Sequence, residues 1–255
     1  GANINVTLIF SRERYRAVMD AYLTGLEKRL AVGKDIAGIA SVASFFVSRL
    51  ETKADDRLKA VMEAGGEGAE TAKRLKGKIA VDNTRLAYRD YEEIFGSDRF
   101  RKLAEAGAAK QRPLWASTST KDEAYSDIKY VSELVAENTV NTIPPETLEV
   151  FLDHGDPEIR IDKDLERAEE DFDQLAGLGI SIDEITQELE DEGVQKFSDS
   201  FNDLLESIEQ QRQKYVTGLG SLAEALASEV KAFKSGDTVG RIYRNDPTIW
   251  TQSKQ

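Results

Sequence analysis

The sequence predicts an α/β fold, a parallel sheet wrapped by helices of the kind that closes into a (β/α)8 barrel. Three observations carry this expectation. Apolar runs of strand length alternate with stretches of helical periodicity, in the order β-α-β-α-α-β-α-β-α, before a helical end. One run, IAGIASVASFFVS, is small and apolar along its length, as in a strand covered on both faces. Each candidate strand also ends in polar residues: Thr7 and Ser11, Ser44 to Arg49, Ser117 to Lys121, and Asn141 with Thr142. In (β/α) barrels the site is built at those carboxyl ends. Four strands do not close a barrel, so four more are expected from sequence outside this chain.

The first element, GANINVTLIFS, has Val6, Leu8 and Phe10 at alternate positions and is expected to be an unbroken strand. Period two places Asn3, Asn5 and Thr7 on one face and Ile4, Val6 and Leu8 on the other. Polar groups inside a buried strand must be hydrogen-bonded or face a site. Residues 12–30 space Tyr15, Val18, Met19, Tyr22, Leu23, Leu26 and Leu30 for a helix that ends near Gly33. Residues 39–47 are the second strand. Residues 51–75 read as a charged helix broken at Gly65-Gly66, and 78–95 as a further helix with Ile79, Leu86, Tyr88, Tyr91 and Ile94 on one face. A short helical piece, 100–106, precedes the third strand and its polar loop, 112–120. An amphipathic helix at 127–135 and a fourth strand, 139–143, follow. Pro144-Pro145 then opens a helix at 146–152.

From Asp156 to Glu192 acidic residues outnumber basic ones fifteen to three. Residues 162–173 lack the central glycine and ligand spacing of a calcium loop, so a solvated helical face is expected there. Residues 194–215 read as a long helix with Phe197, Phe201, Leu204, Leu205 and Ile208 on one face. Residues 217–234 read as a looser helix, and 238–255, with Asp246-Pro247 and Trp250, as a linker or docking arm.

Composition excludes several classes. A net charge of −13 and the lack of a sustained basic tract disfavour nucleic acid and anionic membrane as partners. A small anionic substrate needs only two or three local cations. Without cysteine there is no disulfide, thiolate metal site or cysteine nucleophile, and a single histidine, His154, rules out a multi-histidine metal site. With no membrane-spanning run and no signal-peptide pattern, the cytoplasm is the expected location. No G-x-S-x-G supports a serine hydrolase, GGEG at 65–68 lacks the rest of a nucleotide loop, and Trp115 and Phe45-Phe46 read as core.

Two stretches remain as chemistry. Arg49 directly follows an apolar strand, where its guanidinium either forks onto a phosphate or pairs with Glu51. STSTK at 117–121 offers hydroxyls, loop amides and an ammonium, the ingredients of an anion cradle.

Five blocks in this order closely resemble transaldolase in its longer bacterial form: GANINVTLIFSRERYRAVMDAYLTGLE, IASVASFFVSR, KIAVDNTRLAYRDYEEIFGSDRF, KQRPLWASTSTKDEAYSD and TVNTIPPETLEVFLDHG. The resemblance implies a class I aldolase-type (β/α)8 barrel in the pentose phosphate pathway. That enzyme moves a dihydroxyacetone unit between sugar phosphates through a lysine Schiff base, with no metal or organic cofactor. It also implies roles for residues of this chain. Asn5 would hold a substrate hydroxyl, Thr7 a catalytic water, and Ser44 would face the dihydroxyacetone end. Arg49, Ser117 and Lys121 would bind phosphate.

The early strand with its Thr-Ser-Asn-Pro motif, the acid/base carboxylates and the strand with the Schiff-base lysine are not found. Lys78 and Lys110 fall in or before helices and Lys121 in a loop. This chain is therefore expected to supply about strands 5–8 of the barrel over 1–155, an acidic insertion and terminal helices over 156–234, and a linker or tail over 235–255. It is expected to be inactive alone and to need the amino-terminal half as partner. VGRIYRNDPTIW also resembles the segment joining transaldolase to glucose-6-phosphate isomerase in fusion proteins. The rival expectations are a non-catalytic half-barrel that binds or assembles, and a Schiff-base fructose-6-phosphate aldolase.

Overall fold

Four strands pair in parallel and in chain order in the computed structural model: β1 (Ile4–Ile9), β2 (Ser41–Phe46), β3 (Arg112–Ala116) and β4 (Val140–Asn141). The structure describes residues 2–218, 220 and 222–244. It divides into two compact units, residues 1–195 and 196–255. The first holds the sheet.

Helices connect the strands, as parallel pairing requires. They are α1 (Arg12–Ala31) after β1, α2 (Ser48–Ala64), α3 (Gly68–Leu75), α4 (Ile79–Phe95) and α5 (Asp98–Glu105) after β2, and α6 (Lys129–Glu133) after β3. α7 (Pro145–His154) and α8 (Leu165–Gly177) follow β4. Ser11 and Ser97 cap α1 and α5 with their hydroxyls, which accept from the Arg14 and Phe100 amides. Gly65 and Gly66, both at positive φ, separate α2 from α3 where the sequence places a break.

Period two sends Ala43, Phe45 and Trp115 to the helix side of the sheet, all at most 1% exposed. Phe45 meets Trp115 edge-on at 6.3 Å and Tyr15 of α1 at 5.6 Å, and Tyr88 of α4 closes on Trp115 at 6.4 Å. The indole N–H is satisfied by the Leu134 carbonyl at 3.1 Å.

β1 is not the unbroken strand expected. Val6 pairs with Ala43 but Ile9, not Leu8, pairs with Phe45, so one residue is extra. That residue is Leu8, at φ +61°, which makes the strand bulge. Ile9 thereby takes the core position, and Phe10 lies against Phe46 at 5.1 Å. Ile4, expected to be buried, is 60% exposed.

Other expectations need adjustment. The fourth strand shrinks to two residues, with one further bond from the Thr142 amide to the Trp115 carbonyl, and the helix expected over 127–135 to five. Lys110 precedes a strand rather than a helix, with its ammonium over the Tyr91 ring. The acidic stretch is not wholly solvated. Asp171 of α8 is fully buried and receives Arg74 at 2.7 Å, a pairing that spacing within one helix does not reveal. α9 (Ile182–Gly218) and α10 (Leu222–Ser235) are helical as expected, and Phe197, Phe201, Leu204, Leu205 and Ile208 are exposed. Part of the expected arm forms α11 (Thr238–Tyr243), whereas Asp246, Pro247 and Trp250 lie outside the described residues. Among the described residues no helix is long and apolar enough to cross a membrane.

Candidate functional site

The face of the sheet opposite the helix-packed core carries Asn5, Val42, Ser44 and Phe46, in register with one another across β1 and β2. Asn5 and Ser44 are joined directly, the Ser44 hydroxyl donating to Asn5 Oδ1 at 2.7 Å. Ser44 is 3% exposed while Asn5 is exposed. Because its carbonyl oxygen is occupied, the Asn5 amide presents its two N–H donors outward. Thr7 lies on the same strand, one residue before the bulge, exposed and with its hydroxyl bonded to no group among the described residues. Bulges re-aim side chains in this way at the rims of sheets.

At the carboxyl ends of β2 and β3 the two strands stay paired after their regular ladder stops. The Val47 amide donates to the Ala116 carbonyl at 3.0 Å and the Ser48 amide to the Ser117 carbonyl at 2.9 Å. The Ser48 and Ser117 hydroxyls are 2.9 Å apart. Ser117 has φ +58°, a left-handed conformation that costs a serine about 1 kcal/mol or more and persists only where its surroundings fix it. The start of α2 and the start of the loop after β3 are thus one structure, and Arg49 is the second residue of that helix.

One of the two partners that spacing allows Arg49 is taken elsewhere. Glu51 does not pair with Arg49. That carboxylate is 2% exposed and engages Lys129 at 2.6 Å instead. The half-buried Arg49 guanidinium has no carboxylate partner among the described residues and rests over the Phe46 ring at 5.5 Å from its centroid. An arginine kept close to the surface without an anion, on an aromatic shelf, retains all five donors for a ligand. Phe46 is consequently not core like Phe45. It is the support that sequence reading missed, and an aromatic three residues before Arg49 is only a weak sign of it.

Lys121 is placed apart from this group. It is exposed, makes no ion pair, and lines a cavity of about 530 Å³ whose walls include Asp55, Asp56, Asp122 and Glu123. Ser48 borders the same cavity, while Arg49 and Ser117 do not. The structure therefore brings together Asn5 with Ser44, and Ser117 with Ser48 beside Arg49, and leaves Lys121 in acidic surroundings. His154, at the end of α7, lies between Asp127 and Asp153 at 3.2 Å from each, which raises its pKa through those hydrogen bonds. Among the described residues no group of three or more histidine, aspartate or glutamate side chains is arranged to hold a metal ion. None of the strands contains a lysine.

The model of the transaldolase/fructose-6-phosphate aldolase family matches residues 1–208. The chain is 55% identical to transaldolase 2 of Streptomyces coelicolor over 223 residues, 86% of this chain and 58% of that protein. It is 54% identical to the transaldolase of Saccharopolyspora erythraea over 214 residues, 83% of this chain and 56% of that protein. The transaldolase of Mycolicibacterium smegmatis is 52% identical over 212 residues, with the same two shares. The chain spans a little over half the length of these curated relatives. With a parallel α/β sheet and a family match over four-fifths of its length, the chain belongs to the transaldolase/fructose-6-phosphate aldolase family.

Proposed function

We propose that this chain forms the substrate- and phosphate-binding half of a transaldolase, with β1–β4 serving as the fifth to eighth strands of a (β/α)8 barrel. The reaction is transfer of a dihydroxyacetone unit between sugar phosphates through a lysine Schiff base. The lysine amine adds to the ketose carbonyl and water leaves. The resulting iminium accepts the electron pair of the breaking carbon–carbon bond as the adjacent hydroxyl loses its proton and the aldose departs. The enamine left on the lysine then attacks the acceptor aldehyde, whose oxygen takes up a proton, and water hydrolyses the new iminium to free the ketose and the lysine.

What carries the reading is Arg49, an arginine without a carboxylate at the carboxyl end of a parallel strand, one residue from a serine bonded to Ser117. Bidentate arginine–phosphate pairing suits that position. Ser117 and the loop amides complete the phosphate cradle, and Lys121 adds long-range attraction from its outer side. On the sheet face, Asn5 donates to a substrate hydroxyl, and Ser44, which fixes Asn5, borders the dihydroxyacetone end. The free Thr7 hydroxyl holds the water that moves protons.

The nucleophilic lysine lies outside this chain in this reading. Support comes from the lysine-free strands, the second edges of β1 and β4 that pair with no strand among the described residues, and the greater length of the relatives. The other half of the barrel is then the partner that pairs with those edges. Treatment of the chain with borohydride and fructose 6-phosphate tests this assignment. No covalent adduct and no transaldolase activity are expected. An adduct on any lysine of this chain overturns it.

A further inference from the structure

The loop from Ser117 to Ser126 is held at both ends by one stripe of α2. Ser48 takes its first residue, and seven residues along the helix Asp55 takes Tyr125 near its end. The Tyr125 hydroxyl donates to Asp55 Oδ2 at 2.5 Å and accepts from Lys76 Nζ at 2.9 Å. Its ring lies beneath two ammonium groups, Lys129 at 3.9 Å and Lys76 at 4.8 Å from the centroid. Asp55 Oδ1 accepts the Gly77 amide at 2.8 Å, and Lys129 bridges the Gly77 carbonyl and Glu51 Oε2, both at 2.6 Å. Gly77 is required here. Its φ is +77°, and a Cβ would meet the Tyr125 ring at 2.7 Å.

Two carboxylates, Glu51 and Asp55, are thus at most 3% exposed, and burial pushes Glu51 up in pKa against the pull of Lys129. Buried ion clusters add little net stability compared with apolar packing, but they fix one arrangement among several. The arrangement fixed here is the path of the loop that presents Ser117 in its strained conformation beside Arg49.

We propose that Tyr125, seated on Asp55 between Lys76 and Lys129, is a positioning residue that sets phosphate affinity by holding the 117–126 loop against α2. This rests on the reading of Arg49 and Ser117 as the phosphate site. Tyr125 itself touches no ligand. It acts through the loop backbone.

The test is titration of the 255-residue chain with fructose 6-phosphate, followed at the Ser117 and Thr118 amides by NMR, with hydrogen exchange on the same samples. Tyr125→Phe, which keeps the ring and removes the hydroxyl, is expected to weaken binding about five- to tenfold. Amide exchange at 117–121 is expected to quicken about tenfold, while exchange in β2 stays as in the wild type, a contrast that general destabilisation would not produce. Should that variant fail to fold, Lys76→Met removes the outer donor to the hydroxyl together with the cation over the ring and its pairing with Asp122, and a loss of about twofold or more is expected. Wild-type affinity in the variant that folds overturns the positioning role. If Arg49→Ala still loses binding, the phosphate site stands without it. No binding by the wild type, or undiminished binding by Arg49→Ala, overturns both.

Discussion

Arg12 and Arg49 occupy matching stations in consecutive βα units, each within the first two residues of the helix that follows a strand. Their surroundings differ. Arg12 forks onto Asp90 of α4 at 2.8 and 3.0 Å, and Arg16 joins the same carboxylate at 2.7 Å. Arg49 pairs with no carboxylate among the described residues and lies on a phenyl ring. The acid nearest in sequence, Glu51, is turned inward to Lys129. One arginine ties a helix to its neighbour. The other is kept available, in a protein with thirteen more acidic than basic residues that offers many partners. In the proposed function, availability at the carboxyl end of a parallel strand, not mere presence of a cation, is what singles Arg49 out as a phosphate ligand.

Four substitutions test this contrast. The largest effect is expected for Arg49→Ala. Loss of a charge-assisted fork should lower sugar-phosphate affinity about 100-fold, or about 3 kcal/mol, with the melting temperature unchanged within a degree. Calorimetric titration and thermal unfolding of the same sample check both halves. Arg12→Ala should do the reverse, leaving phosphate binding near the wild-type value while costing about 2 kcal/mol, because Asp90 is 2% exposed and keeps only Arg16. That corresponds to a fall of about 4–8 °C in melting temperature.

A third group extends the comparison to a buried acid with too little compensation. Asp82 is 2% exposed, Arg85 stands 3.7 Å away, and its Oδ2 has no partner. Burial, then the nearby Asp171, raise its pKa to about 7. Between about pH 4 and pH 7 the folded chain therefore holds a proton that the unfolded chain has lost, and stability falls as pH rises through that window. Asp82→Asn should remove the loss, so its melting temperature should exceed the wild type's at pH 8 by a few degrees and match it near pH 4. The smallest effect is expected for Ser44→Ala. It frees the Asn5 carbonyl and should weaken ketose-phosphate binding by about 1 kcal/mol, while inorganic phosphate binds as before.

Much of the sheet was legible in the sequence because it follows from local pattern. The buried run SVASFF, the start of a helix at Ser11-Arg12 and the Gly65-Gly66 break each act within a few residues, and the structure has all of them. What escaped depends on pairing at long range. The bulge at Leu8 exists because β1 must match β2 with one residue too many, which alternation of Val6, Leu8 and Phe10 conceals. The partner of Glu51 lies across the chain from what spacing suggests, since Lys129 is 78 residues away from it, whereas the shelf under Arg49 is local, three residues before it. Lys121 follows Ser117 by four residues but projects among Asp55, Asp56, Asp122 and Glu123. Sequence proximity in a loop does not fix which cation shares a site.

Arg49 is the proposed phosphate ligand, and its own side-chain N–H is the most direct probe. In a 15N-labelled chain titrated with fructose 6-phosphate, the Arg49 Nε–H resonance is predicted to shift and saturate together with the Ser117 amide, while that of Arg12 stays in place. Saturable binding that leaves the Arg49 resonance unmoved would contradict it.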